Sequence, residues 1–149
     1  MDEHKPVLVE EVVAALGLAS GARHDGLYVD ATFGRGGHSA RILELLGTAG
    51  RLLAIDRDPQ AIAAAQARFA SDPRVMVVRS AFGALASLVA QHGDGRECRG
   101  ILFDLGVSSP QLDTAARGFS FRLDGPLDMR MDPAGGVSAA QFIARAPGD

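Results

Sequence analysis

The sequence predicts an α/β fold, an open and mostly parallel sheet with flanking helices, and three observations carry that prediction. Short apolar runs rich in β-branched residues begin at Leu27, Arg51, Val75 and Gly100, about 24 residues apart. Each run is continuous rather than alternating, as in strands buried on both faces of a parallel sheet. Between the runs, apolar residues recur with helical spacing, so strands and helices alternate and right-handed crossovers follow.

Pro6 to Leu16 reads as an opening amphipathic helix, followed by a first strand over Leu27–Asp30. Ser39 to Leu46 places Ile42, Leu43, Leu45 and Leu46 on one side of a helix that Gly47 stops. A second strand covers Arg51–Asp56. Pro59 then suits a first helical turn, and the alanine-rich helix from Gln60 to Ala70 carries Ile62 and Phe69 as its larger core anchors. The third strand is Val75–Val78. The next helix, Ala84 to Gln91, buries Leu85, Leu88 and Val89 and stops near His92-Gly93. Gly100–Asp104 is the fourth strand. After Asp104 the rhythm breaks: residues 105–137 hold Ser108-Ser109-Pro110, Gly125-Pro126 and Asp132-Pro133-Ala134-Gly135-Gly136, and read as a long loop. Ser138 then caps a helix running to Ala146. Four strands and a trailing helix leave the last sheet edge open, so the fold is expected to be incomplete within this chain.

The composition narrows the function classes. The chain has 149 residues, 47% hydrophobic and 22% charged, which is globular rather than disordered. Fifteen basic and 18 acidic residues give a net charge of −3, excluding a strongly basic nucleic-acid clamp but not a nucleic-acid substrate reached through a local site. Cys98 is the single cysteine, so there is no internal disulfide framework and no cysteine-clustered zinc site. No 18-residue apolar run and no signal-peptide pattern occurs, and the expectation is a cytoplasmic protein with no membrane partner. No His/Cys/Asp group has metal-ligand spacing, and no G-x-S-x-G elbow is present, so metal and acyl-transfer chemistry rank low. Alanine and glycine are abundant while Trp is absent and aromatics reach 5%.

Candidate site residues gather at the strand ends. Asp30-Ala31-Thr32-Phe33-Gly34-Arg35-Gly36-Gly37-His38-Ser39 is a glycine-rich strand-to-helix turn, where backbone approaches a ligand closely and a helix start offers free amides. Gly34 and Gly36 match the dinucleotide pattern, but serine stands at position 39. Asp56 lies about 20 residues beyond the glycines, where a carboxylate accepts bonds from ribose hydroxyls; helix capping is its other reading, although Asp58 is better placed for that. Phe82 follows the third strand, at the adenine border or in the core. Asp104 ends the fourth strand. In an open sheet, Asp30, Asp56, Phe82 and Asp104 would converge beyond the carboxyl ends at a switch point. The acidic residue at the first strand's end favours S-adenosylmethionine over NAD, because Asp30 or Asp104 can offset an ammonium or sulfonium. His38 reads either as a surface histidine at a helix start or as a contact to the methionine carboxylate. A nicotinamide-dependent oxidoreductase is the rival enzyme class.

HKPVLVEEVV from His4, YVDATFGRGGHS from Tyr28, LLAIDRDPQAI from Leu52, GILFDLGVSSPQLD from Gly100, and RGFSF with DGPLDMRMDP from Arg117 resemble the RsmH (MraW) family of bacterial methyltransferases. The resemblance runs from about His4 to Ala140, and its last two motifs are far more specific than the glycine turn. It implies a Rossmann-like S-adenosylmethionine-dependent methyltransferase acting on the exocyclic N4 amine of a cytosine in 16S ribosomal RNA. It also implies Gly36, Gly37, His38, Asp56, Phe82, Asp104 and Gln111 as cofactor contacts. The partner expected is small-subunit ribosomal RNA or the assembling small subunit. Family members are longer, with a helical substrate-recognition insert after the fourth strand. Residues 1–110 are therefore expected to be the cofactor-binding core and 111–149 the start of that insert; a cofactor-binding fragment without turnover is the second reading. Arg122-Leu123 and Ala115-Ala116 depart from the family pattern within the insert's loop. Asp104 is the expected amine-orienting acceptor, immediately after the fourth strand. The target base must be unpaired or flipped out. Arg117, Arg122 and Arg130 are candidates for RNA phosphates, but Asp124, Asp128 and Asp132 interleave with them, so a self-paired loop is an equal reading.

Overall fold

A computed structural model describes residues 6–18 and 24–147, which form two compact units, one up to Asp104 and one from Leu105 onward. In the first unit the order is α1 (Val9–Ala15), β1 (Leu27–Asp30), α2 (Gly37–Leu45), β2 (Arg51–Asp56), α3 (Pro59–Phe69), β3 (Val75–Arg79), α4 (Leu85–His92) and β4 (Cys98–Leu102). A single 3₁₀ turn, Phe82–Ala84, leads into α4. All three strand pairings are parallel and the strand order is β3-β2-β1-β4. The chain winds outward from β1 through β2 to β3, then returns to the other side of β1. That reversal opens a crevice beyond the carboxyl ends of β1 and β4.

β1 and β2 are buried along nearly their whole length, as their unbroken apolar runs require. On one face Tyr28, Leu52 and Leu102 pack with Val13, Ile42, Leu43 and Leu46 of the first two helices and the residues that follow them. On the other, Leu27, Val29, Leu53 and Ile55 pack with Leu88 of α4. A third cluster sets Phe33 against Ala54, Ala61 and Ala65. With alanine at these contacts α3 lies close on β2, which accounts for the alanine-rich, aromatic-poor composition. β3 and β4 are the edge strands of the described sheet and are half-exposed, with Met76 and Ile101 facing outward. No described helix is long and apolar enough to cross a membrane.

The β4 and α2 boundaries differ from the sequence reading in ways that bear on the site. β4 begins at Cys98 and ends at Leu102 because Leu27 pairs with Cys98 and Tyr28 with Gly100, leaving Arg99 as an extra residue in the ladder. Asp104 therefore stands beyond the strand. α2 begins at Gly37, two residues early, because Gly36 adopts φ +73° and turns the chain directly into the helix. Asp58 caps α3, its Oδ1 accepting the Gln60 N–H at 2.9 Å.

The second unit contains α5 (Ser109–Asp113), a 3₁₀ turn at Ala115–Arg117 and α6 (Ala139–Arg145). The sequence reading placed α5 within a loop. A capping box between Ser108 and Gln111, with Pro110 in the first turn, forms this five-residue helix without apolar periodicity. Buried Arg117 ties the stretch together by donating to the carbonyls of Arg130 (3.2 Å) and Met131 (3.0 Å). Ser138 caps α6 as expected, accepting the Gln141 N–H at 3.2 Å.

Candidate cofactor site at the carboxyl ends of the strands

Hydrogen bonds to the aspartates that end β1 and β2 brace the glycine turn after β1. Asp30, 1% exposed, accepts the Thr32 N–H on Oδ1 (3.1 Å) and the Ser39 hydroxyl on Oδ2 (2.7 Å). Burial pushes its carboxyl above the usual carboxylate range, and the bonds from Ser39 and Thr32 oppose that rise. Both oxygens are engaged and the residue has no open face, so Asp30 braces the turn. Gly34 donates its N–H to Asp56 Oδ2 at 2.8 Å, so the turn is pinned to the end of β2. Asp56 Oδ1 accepts the Asp58 N–H at 2.9 Å. The carboxylate keeps lone pairs for further donors, since two oxygens offer about four acceptor positions.

The glycines divide by what surrounds them. A Cβ at Gly36 would lie 2.3 Å from the buried Phe33 ring, and one at Gly37 would lie 2.2 Å from Pro6 Cγ. Internal packing demands both. Gly34 has φ +54° and its Cβ position meets nothing closer than the Thr32 carbonyl at 3.8 Å, so its backbone faces open space. At the start of α2 the N–H groups of Gly37, His38 and Ser39 have no acceptor among the described residues. Together with the helix dipole they favour a carboxylate or another anion.

Asp104 lies across the crevice from this turn's helix. Its N–H donates to Thr32 Oγ1 at 2.7 Å, and its half-exposed carboxylate stands 3.6 Å from His38 Nδ1. His38 is buried, and its Nε2 lies 2.9 Å from the Val7 carbonyl. A carbonyl only accepts, so Nε2 donates to it, and Nδ1, turned to Asp104, attracts that carboxylate only when it carries a proton as well. His38 thus spans from the segment before α1 to the crevice. Phe82 is 45% exposed and meets Phe103 edge-to-face, with ring centroids 5.5 Å apart. The core reading of Phe82 is therefore excluded.

Asp30, Gly34, Gly36, Gly37, His38, Asp56, Phe82 and Asp104 all belong to the first unit, and the bonds above link the two aspartate strand ends to the glycine turn and to Asp104. Gln111 belongs to the second unit, where it is 4% exposed, its Oε1 accepts the Ser108 N–H (3.0 Å) and its Nε2 lies 3.1 Å from Met131 Sδ. Sequence reasoning missed Thr32, whose hydroxyl holds Asp104, and Ser39, whose hydroxyl holds Asp30. A small hydroxyl residue at each end of a glycine turn was their signal. The described residues hold no group of three His, Cys, Asp or Glu side chains able to bind a metal.

This sheet order and this switch-point crevice define a Rossmann-like fold. Consistent with that, the chain superposes on a candidate rRNA methylase from Clostridium thermocellum with a TM-score of 0.55 at 21% identity, over 70% of this chain and 53% of that one. The chain belongs to the MraW methylase family, whose sequence model matches residues 1–148. It is 57% identical over 143 residues to the ribosomal RNA small subunit methyltransferase H of Shewanella oneidensis and 58% identical over 144 residues to that of Shewanella pealeana. The matches cover 96% and 97% of this chain and 44% of each relative, so the chain spans less than half the length of these relatives.

Proposed function

We propose that this chain carries the cofactor-binding part of an S-adenosylmethionine-dependent methyltransferase acting on the exocyclic N4 amine of a cytosine in 16S ribosomal RNA. The observation that carries the reading is Asp104: a half-exposed carboxylate at the switch point, fixed through its backbone by Thr32 and faced by the buried His38 ring. The relatives' names supply the RNA class. Residues 1–110 are proposed as the cofactor core and 111–149 as the beginning of the substrate segment.

The residues present fit the cofactor. Asp56 has acceptor positions for ribose hydroxyls, the free N–H groups opening α2 suit the methionine carboxylate, and open space fronts Gly34. Phe82 offers a half-exposed ring for the adenine. When bound, S-adenosylmethionine supplies a methyl group already activated on a sulfonium. A cytosine amine is a poor nucleophile because its lone pair is delocalised into the ring. Asp104 accepts an amine N–H, favouring a more pyramidal nitrogen and aligning its lone pair, so the protein contributes orientation and electrostatics. With both ring nitrogens protonated, His38 acts through Asp104 by pairing with its carboxylate and limiting where it points. Asp30 braces the turn, and Gln111 is carried by the family resemblance alone.

The test is transfer of labelled methyl groups from S-adenosylmethionine to isolated small ribosomal subunits, with wild type and Asp104→Asn. Asp104→Asn is expected to lower the transfer rate at least tenfold, about 1.4 kcal/mol or more, while cofactor affinity changes less than threefold. Equal rates in the two proteins would remove Asp104 from the mechanism. Cofactor binding with no transfer by wild type would leave the cofactor-binding fragment as the correct reading.

A further inference from the structure

The three arginines of residues 105–137 have different fates. Arg117 is buried, its guanidinium bonded to the Arg130 and Met131 carbonyls and 5.9 Å from the Phe119 ring centre. Arg130 closes on Asp128, with Nε 3.0 Å and Nη2 2.7 Å from the carboxylate. Both are structural. The Arg122 guanidinium has no hydrogen bond or ion pair among the described residues. Its neighbour Phe121 is wholly exposed. The backbone that presents this pair is fixed: Ser120 Oγ accepts the N–H groups of both Arg122 and Leu123 at 3.2 Å. Phe121 and Arg122 border a concavity of about 410 Å³ that Ser120, Leu123, Asp124 and Leu127 also line.

A wholly exposed Phe ring offers its faces to a flat partner. We propose that Phe121 and Arg122 form a contact for unpaired RNA, one base stacking on the Phe121 ring and a phosphate of the same strand meeting the Arg122 guanidinium. The proposal rests on the ribosomal RNA reading and locates part of the substrate surface. An aromatic face joined to an unpaired planar cation is the combination that holds single strands, because every base offers a π-face. A duplex hides those faces. Asp124 in the same concavity keeps it from being uniformly basic, so stacking rather than bulk charge does the selecting. A methyltransferase that needs its cytosine out of the helix benefits from such a grip on the flanking strand.

The experiment measures fluorescence anisotropy of a labelled single-stranded RNA and of its duplex with the 149-residue chain and its variants. Wild type is expected to prefer the single strand. Phe121→Ala is expected to weaken it between about five- and 150-fold, and Phe121→Tyr to retain it. Arg122→Ala is expected to reduce the slope of log affinity against log salt by about one. Calorimetry with S-adenosylmethionine runs alongside, since neither residue lies in the cofactor unit and both are exposed. Unchanged RNA affinity in Phe121→Ala, or no single-strand preference in wild type, overturns the proposal, and a protein partner for Phe121 replaces it. Absence of cofactor binding by wild type is a separate failure, that of the methyltransferase reading.

Discussion

Replacing Asp30 separates its two contributions, hydrogen bonding and buried charge. Asp30→Ala leaves the Ser39 hydroxyl, in a fully buried residue, and the half-buried Thr32 N–H without their acceptor. An unsatisfied buried group costs about 1–3 kcal/mol, and the Thr32 N–H, within reach of water, sits at the low end, so the loss is about 2–4 kcal/mol. Asp30→Asn keeps the shape: its Oδ1 accepts from Thr32, and its amide donates to a rotated Ser39 hydroxyl. It also removes a charge that burial disfavours. Because the folded-state pKa of Asp30 is raised, the folded protein holds its proton to higher pH than the unfolded chain. The stability associated with that proton is present below the unfolded pKa near 4 and is lost as pH rises through the folded value. Urea unfolding followed by far-UV circular dichroism suits a chain without Trp. Wild type is expected to lose stability with rising pH above about 4 relative to Asp30→Asn. Parallel pH dependences for the two proteins, or a neutral Asp30→Ala, would refute this account of the brace.

Gly36→Ala forces a Cβ against the Phe33 ring at a positive φ, and the left-handed strain plus overpacking amount to about 2–4 kcal/mol; a urea midpoint within error of wild type would contradict it. Asp128 is held down to about 2, first by its side-chain bond to Arg130, so its ion pair persists above the unfolded value near 4 and is lost as pH falls through about 2. Carbon-detected NMR should find that midpoint, and Arg130→Ala should move it up toward the ordinary carboxylate range; an unmoved midpoint would exclude Arg130 as the cause. His38→Ala is expected to slow methyl transfer in the wild-type background and to add little in Asp104→Asn, because His38 acts through that carboxylate; additive losses in the double-mutant cycle would count against the coupling.

The strands were legible in the sequence where burial is two-sided. β1 and β2 are continuous apolar runs because both faces are covered, and their ends, Asp30 and Asp56, were readable as a rim. Asp58 was readable as a cap from its place before Pro59. α5 was hidden because a capping box, not periodicity, forms it. The Val7–His38 contact joins residues 31 apart, so no local pattern reveals it. Nor does spacing alone tell a buried structural arginine from an unpaired one. Arg117, Arg122 and Arg130 look alike in a charge-interleaved loop, and only the fold shows which carbonyls and carboxylates claim two of them. The two roles of the glycine turn were merged for the same reason: Gly36 and Gly37 answer to Phe33 and Pro6, whereas Gly34 faces open space.

Titration calorimetry with S-adenosylmethionine decides whether the carboxyl edge of this sheet holds an adenosylated sulfonium cofactor, as proposed. Saturable one-to-one binding by the 149-residue chain is expected, with at least tenfold weaker binding by a folded Asp56→Ala variant, a difference of about 1.4 kcal/mol or more, and no comparable binding of NAD. No heat of binding with wild type, or the same affinity after Asp56→Ala, would contradict it.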